Sequence, residues 1–157
     1  EAPLKYCSTD IDVSRPVESQ WPEILAVLKT ANFHHIGSEE MAEFPLTDCF
    51  VATVNGTVRA VGGYRILSDT EAKTTLLAAD PEFAHLGLGK MLQTTRLDHL
   101  RAIGIRRVTT NTDDPRVARW LQRRFGFKPT GETVAKVADF GRAEADAWIS
   151  LAVDWND

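Results

Sequence analysis

Apolar residues recur along this chain with two periods, one near two residues and one near 3.6, and the changes between them mark out the elements. Residues 11–17 read as a first strand, interrupted near Pro16. Residues 18–30 then place Trp21, Ile24, Leu25 and Leu28 at helical spacing, as one apolar stripe. Phe33-His34-His35-Ile36-Gly37 is a loop. Ser38 can cap a short helix over 39–44, and Pro45 ends it. Two β-rich runs, 49–54 and 57–67, flank Asn55-Gly56, the strongest short hairpin signal. Within the second run, Gly62-Gly63 signals a bulge or a close backbone approach. Ser68-Asp69-Thr70 makes a further turn, and residues 73–79 form the next strand.

Asp80-Pro81-Glu82 breaks that strand, and residues 87–104 predict a long helix. Leu88, Met91, Leu92, Thr95, Leu100 and Ile103 are its expected buried face, and Gly104 ends it. Residues 107–111 are β-rich. Asp114 at N-cap and Pro115 at N1 open another helix, with Val117, Trp120, Leu121 and Phe125 as its stripe and Gly126 at its end. Two last strands, 130–137 and 145–153, turn near Gly141. The order β-α-α-β-β-β-α-β-α-β-β predicts an α/β (α+β) fold: a mixed, mostly antiparallel central sheet flanked by helices. With no repeat, low-complexity segment or linker, residues 1–157 read as a single domain.

Composition narrows the function classes. The chain is 43% hydrophobic and 25% charged, as soluble globular proteins are. A net charge of −4 and the lack of a long basic run argue against nucleic acid as a partner. No apolar run reaches the roughly 18 residues of a membrane span, and no signal-peptide pattern is present, so the expected setting is cytoplasmic. Cys7 and Cys49 have no CxxC partner, and His34, His35, His85 and His99 form no HExxH, so no metal is expected. Cys49, at the start of a strand, reads as a small buried hydrophobe. The chain begins with Glu1 rather than Met, as one domain of a longer protein would.

The chemistry lies in Leu77-Ala78-Ala79-Asp80-Pro81-Glu82-Phe83-Ala84-His85-Leu86-Gly87-Leu88-Gly89-Lys90. A strand ends, a turn follows and a helix begins at a glycine pair. The first N–H groups of a helix have no internal acceptor, and the helix dipole adds positive potential there. A diphosphate can take those bonds if the backbone is approachable, and Gly87 and Gly89 carry no side chain to block it. This is not a Walker loop, because Lys90 is followed by Met91 and the earlier glycine position holds Ala84. Nor is it a dinucleotide fingerprint, whose third glycine position holds Leu92. The antiparallel hairpin upstream also contradicts a βαβ nucleotide unit.

These residues resemble the GNAT N-acetyltransferase family over nearly the whole chain. Its main motif follows the fourth strand: Arg or Gln, two residues, Gly, one residue, then Gly or Ala, after a Val-x-Pro-Glu-like phrase. Ala79-Asp80-Pro81-Glu82 and Gly87-Leu88-Gly89 match it, and Arg123-Arg124-Phe125-Gly126-Phe127 matches the helix that ends in Gly-Phe. Asn55-Gly56 with Val61-Gly62-Gly63 is also typical of the family.

The resemblance implies acetyl-CoA as cosubstrate and direct attack by a primary amine in a ternary complex. The acceptor would be a small molecule or amino acid. An acyl-CoA-binding sensor without turnover, or acetylation of a protein, remains open. The implied cofactor-binding set is Leu77, Ala78 and Ala79, Ala84 through Lys90 (with His85, Leu86, Gly87, Leu88 and Gly89), and Asn111. A backbone N–H of residues 77–79 would hold the thioester carbonyl. Glu71 is the candidate base, as one of the carboxylates nearest the strand with Asp69, and Phe33, His34 and His35 would line the acceptor pocket. Two positions depart from the family: Ala84 replaces the motif's Arg or Gln, and Gln122 replaces a Tyr that acts as general acid. Gln can hydrogen-bond but is no acid. The exposed final strand could pair with a second copy as a homodimer.

Overall fold

Alternating β-branched residues and a tight Asn-Gly turn build one half of the sheet, and helices inserted between later strands build the other. The computed structural model describes residues 9–30, 48–135 and 147–156. Its strands are β1 (Ile11–Ser14), β2 (Cys49–Val54), β3 (Thr57–Ile66), β4 (Glu71–Ala79), β5 (Arg107–Thr112), β6 (Lys128–Ala135) and β7 (Ala147–Asp154). Its helices are α1 (Trp21–Thr30), α2 (Leu88–Ala102) and α3 (Pro115–Phe125), with 3-10 turns at Glu18–Gln20 and Pro81–Leu86. The loop at Phe33-His34-His35, the short helix expected over 39–44 and the turn near Gly141 lie outside the described residues.

The strands form one seven-stranded sheet in the order β1-β2-β3-β4-β5-β7-β6. Every neighbouring pair is antiparallel except β4 and β5, which run parallel. The predicted mixed sheet flanked by helices is therefore observed. Asn55 (φ 51°) and Gly56 (φ 87°) both take positive φ at the β2–β3 turn, as a two-residue hairpin of matching twist requires.

On one face of the sheet, Ile24, Val27 and Leu28 of α1 pack on Val51, Val58 and Val61. On the other, Leu88, Leu92 and Leu100 of α2 and Leu121 of α3 pack with Phe50, Val108 and Leu151. Being covered on both sides, β2 is buried at every position, which is why it reads as a continuous apolar run rather than an alternation.

Three expectations need correction. Met91 and Ile103 are exposed, and the buried face of α2 is instead Leu88, Leu92, Gln93, Arg96, Leu97 and Leu100. A sequence reading passes over Arg96 because arginine is rarely buried without a partner; its partners here are two backbone carbonyls and the Gln93 side chain. On α3, Val117 is exposed and Ala118 takes the buried place. Last, β7 lies between β5 and β6, so the edge on that side is β6 and not the final strand. No helix among the described residues is long and apolar enough to cross a membrane.

Candidate functional site

The strand β4 is tied down at its end before the chain enters the glycine loop. The Asp80 N–H donates to the Arg59 carbonyl at 2.8 Å. The Asp80 carboxylate then accepts from the Glu82 N–H at 3.1 Å and from the Arg59 guanidinium at 3.4 Å. Arg59 also lies over the Phe83 ring, 4.4 Å from its centroid. This clamp sets the 3-10 turn Pro81–Leu86, which ends at Gly87 in the left-handed conformation, φ 75°.

Gly87 closes the turn by donating its N–H to Ala84 O at 3.3 Å, and the first bond of α2 runs from Met91 N–H to Gly87 O at 3.1 Å. Between them, the N–H groups of Leu88, Gly89 and Lys90 make no backbone hydrogen bond among the described residues. A Cβ on Gly87 would meet nothing within 4 Å, and one on Gly89 would meet only Leu77 Cδ2 at 3.9 Å. Gly87 is thus required by conformation, whereas Gly89 keeps open the space in front of three unpaired donors. That donor set and that opening fit a diphosphate.

The second part of the site is a gap in the sheet. β4 and β5 pair only through Glu71–Arg107, Ala72–Val108 and Lys73–Thr109. Beyond Lys73 the strands part, while β5 continues to pair with β7 as far as Thr112. The direction of the free N–H groups follows from the β3–β4 ladder. Arg59 and Asp80 are directly opposite and hydrogen-bonded, and the register runs back through Ala60–Ala79, Val61–Ala78 and Gly62–Leu77. Ladder bonds alternate in an antiparallel pair. Ala78 therefore bonds to β3, while Leu77 and Ala79 turn their N–H groups away from β3 and into the gap.

The predicted residues sort by this geometry. Leu77, Ala78 and Ala79 border the gap, and Leu77 also approaches Gly89. Ala84 and His85 are exposed on the 3-10 turn, and Leu86 is half-buried there. Lys90 is exposed in the first turn of α2. Asn111 is half-buried on β5, opposite Ser150 of β7 and across the gap from β4. Glu71 is not brought to this place: it begins β4, paired to Arg107 at the closed end of the gap, roughly 20 Å along the strand from Leu77. Its carbonyl accepts from Leu67 and Ser68, and its side chain is exposed.

Other candidates take plainer roles. Gln122, Arg119 and Arg123 are exposed on α3. Trp120 and Phe125 stack edge to face at 4.9 Å and pack on the core. Cys49 is fully buried, and burial pushes its thiol up to about 12, the Arg15 charge opposing and Asp48 adding; it stays a thiol and is no nucleophile. Among the described residues no group of His, Cys, Asp and Glu could hold a metal.

Sequence reasoning missed the polar group beneath β4. Arg96 is almost fully buried. Its guanidinium donates to Gly63 O at 2.8 Å and Leu76 O at 2.7 Å, and both Nε and Nη2 donate to Gln93 Oε1. The one available signal was its place in the Leu88–Leu92–Arg96–Leu100 series at spacing four.

The overall fold recurs in known proteins. The Acetyltransferase (GNAT) family model matches residues 18–127. The chain belongs to that family. Its fold is shared by the ribosomal-protein-S18-alanine N-acetyltransferase from Escherichia coli, at 18% identity and TM-score 0.73 over 94% of this chain and 96% of that one. Ard1 from Thermoplasma volcanium, also at 18% identity, has TM-score 0.75 over 94% and 99%. N-acetylglutamate synthase from Neisseria gonorrhoeae, solved with coenzyme A and N-acetyl-glutamate, is 16% identical with TM-score 0.71, over 96% of this chain and 36% of that one. No curated protein matches the chain in sequence.

Proposed function

We propose that this chain, read as one domain over residues 1–157, is an acetyl-CoA-dependent N-acetyltransferase acting on a primary amine of a small molecule or amino acid. The observation that carries this reading is the pairing of two features: three unpaired N–H groups at Leu88, Gly89 and Lys90, and a strand edge that opens beside them at Leu77 and Ala79. A diphosphate fits the first and an extended amide-bearing arm fits the second. The synthase solved with coenzyme A supports the choice of cosubstrate.

Acetyl-CoA supplies an acyl group activated as a thioester. The chain supplies position and charge: N–H groups of the α2 terminus for phosphate oxygens, and edge N–H groups of β4 for the arm and the carbonyl. The amine nitrogen forms a bond to the carbonyl carbon, the carbon–sulfur bond breaks, and the thiolate leaves. The nitrogen's proton goes to water, and the thiolate leaves without a protein acid, since Gln122 cannot serve as one. A thiol is acidic enough to depart without one. Glu71 is too far along β4 to take that proton directly. The exposed Gln122 favours one second reading, a family member that holds acyl-CoA without turnover.

The test is a thermal melt with coenzyme A, acetyl-CoA and ATP. At a hundred times its dissociation constant a ligand stabilises by about 2.7 kcal/mol. Both coenzymes are expected to raise the midpoint and ATP much less; no rise with either coenzyme at millimolar concentration defeats the reading. Thiol release across a panel of amines, amino acids and peptides then separates transferase from sensor and reports the acceptor class. No release with any amine favours the sensor.

A further inference from the structure

Arg96 has no role in the reading above, and its surroundings are unusual for a cation. It is 4% exposed, and its acceptors are neutral: Gly63 O, Leu76 O and Gln93 Oε1. No carboxylate pairs with it among the described residues. Burial lowers its pKa to about 9, so the group is charged at neutral pH. The cost of burying an unpaired charge is several kcal/mol, and no ion pair among the described residues offsets it.

The place where that charge acts is specific. Nη1 bridges Gly63 of β3 and Leu76 of β4 where the ladder between them breaks, in the register shift between Gly62 and Tyr64. Gly62 keeps this place uncrowded: a Cβ there would lie 3.2 Å from Leu77 Cδ1, tight enough to make that side chain shift, and 3.5 Å from Arg96 Nη1. The Leu76 carbonyl shares its peptide unit with the Leu77 N–H. That peptide is trans, so its two ends point in opposite directions. The carbonyl points back to Arg96, and the N–H points into the gap between β4 and β5, as the ladder alternation independently requires.

We propose that Arg96 is a positioning residue that fixes and polarises the Leu76–Leu77 peptide, making the Leu77 N–H the donor to the thioester carbonyl oxygen. This rests on the acetyl-CoA reading and deepens it. A cation on the carbonyl end of a peptide strengthens the N–H at its other end. As the amine bonds to the carbonyl carbon, an electron pair moves onto the oxygen, then returns as the carbon–sulfur bond breaks. A donor held in advance at that oxygen favours the charged arrangement over the resting one.

The variant that tests this keeps the fold. Gln93 Nε2 is buried with no partner, so Gln93→Glu loses no hydrogen bond while placing a carboxylate on the guanidinium and quenching its field. Arg96→Lys is the conservative companion, retaining charge but able to hold one carbonyl rather than two. Three readouts on the 157-residue chain suffice: the dissociation constant for coenzyme A, the infrared carbonyl stretch of bound acetyl-CoA labelled with carbon-13, and the Leu77 amide resonance without ligand.

In the wild type the bound carbonyl stretch is expected below its value in water. Gln93→Glu is expected to return roughly half of that shift or more and to move the Leu77 amide upfield. Coenzyme A affinity should change by less than about threefold, because the diphosphate donors are untouched. Arg96→Lys should fall between. Unchanged carbonyl and Leu77 signals in both variants, with coenzyme still bound, overturn the role of Arg96 and leave the functional reading standing. A wild type that binds no coenzyme overturns both.

Discussion

The guanidinium of Arg15 lies over the ring of Phe50, 4.1 Å from its centroid, and its Nη2 sits 3.0 Å from His99 Nε2. The Tyr64 hydroxyl approaches the same nitrogen at 3.3 Å. Arg15 lies just beyond β1, Tyr64 on β3 and His99 in the last turn of α2, so the imidazole joins an edge strand to a helix end. A neutral His99 accepts at Nε2; a protonated one would present an N–H to a cation.

Burial, and then the Arg15 charge, hold the His99 pKa below its usual 6.5. The unfolded chain therefore takes up this proton at a higher pH than the folded one. The stability that depends on a neutral His99 is fully present above about pH 6.5 and is lost as pH falls from there toward the lowered folded value. Urea unfolding at several pH values should show wild type losing stability below pH 6.5 more steeply than His99→Gln, which keeps an acceptor and has no proton to gain. Parallel curves for the two proteins would contradict the geometry.

The two glycines of the loop are expected to behave in opposite ways. Gly87→Ala meets no atom but must hold positive φ, so it should cost about 1–2 kcal/mol of stability with modest loss of coenzyme binding. Gly89→Leu has ordinary backbone geometry and one neighbour at 3.9 Å. It should melt within a few degrees of wild type yet lose its response to coenzyme A by about thirtyfold or more in affinity. Calorimetric titration with melting curves on both variants checks this; coenzyme binding that survives Gly89→Leu moves the phosphate site elsewhere.

Much of this site could be read from residues in a row. Asn55-Gly56 specified its hairpin through backbone angles alone. Asp114, whose carboxylate accepts from the Arg116 N–H at 2.9 Å, and Gly126, at φ 75°, bounded α3 where the cap chemistry placed them. The glycine turn was legible for the same reason, since its chemistry is local. What depends on register was not. Nothing in the sequence of 71–79 says that pairing with β5 stops after Lys73, so Glu71 seemed near the chemistry when it stands at the closed end of the gap. The insertion of β7 between β5 and β6 is likewise a non-local choice. Arg96 was hidden because two of its three acceptors are backbone carbonyls, which leave no mark on residue type.

Cys49 offers a check on burial. It has no exposed surface, and its pKa is pushed up to about 12, so both access and thiolate are lacking. In a Cys7→Ser background, the native protein should leave a disulfide reagent such as Ellman's unreacted over an hour, then release one equivalent on unfolding in urea. Fast labelling of the folded protein would place Cys49 at the surface.

Arg59 supplies the last test, because it separates the loop's position from its donors. Its guanidinium touches the Asp80 carboxylate at 3.4 Å and the Phe83 ring at 4.4 Å, and both residues belong to the turn that delivers Gly87. With its side chain 34% exposed, the ion pair itself should be worth about 1 kcal/mol or less to folding. Arg59→Met keeps an apolar stem near Phe83 and removes the charge. The melting temperature should barely move, while coenzyme A binding weakens on the order of fivefold, about 1 kcal/mol, because the three N–H groups of α2 are no longer held in one place before the ligand arrives. Titration at low and high salt distinguishes this from direct attraction. A positioning effect survives 0.5 M salt, whereas a through-space pull of Arg59 on the diphosphate is largely screened there.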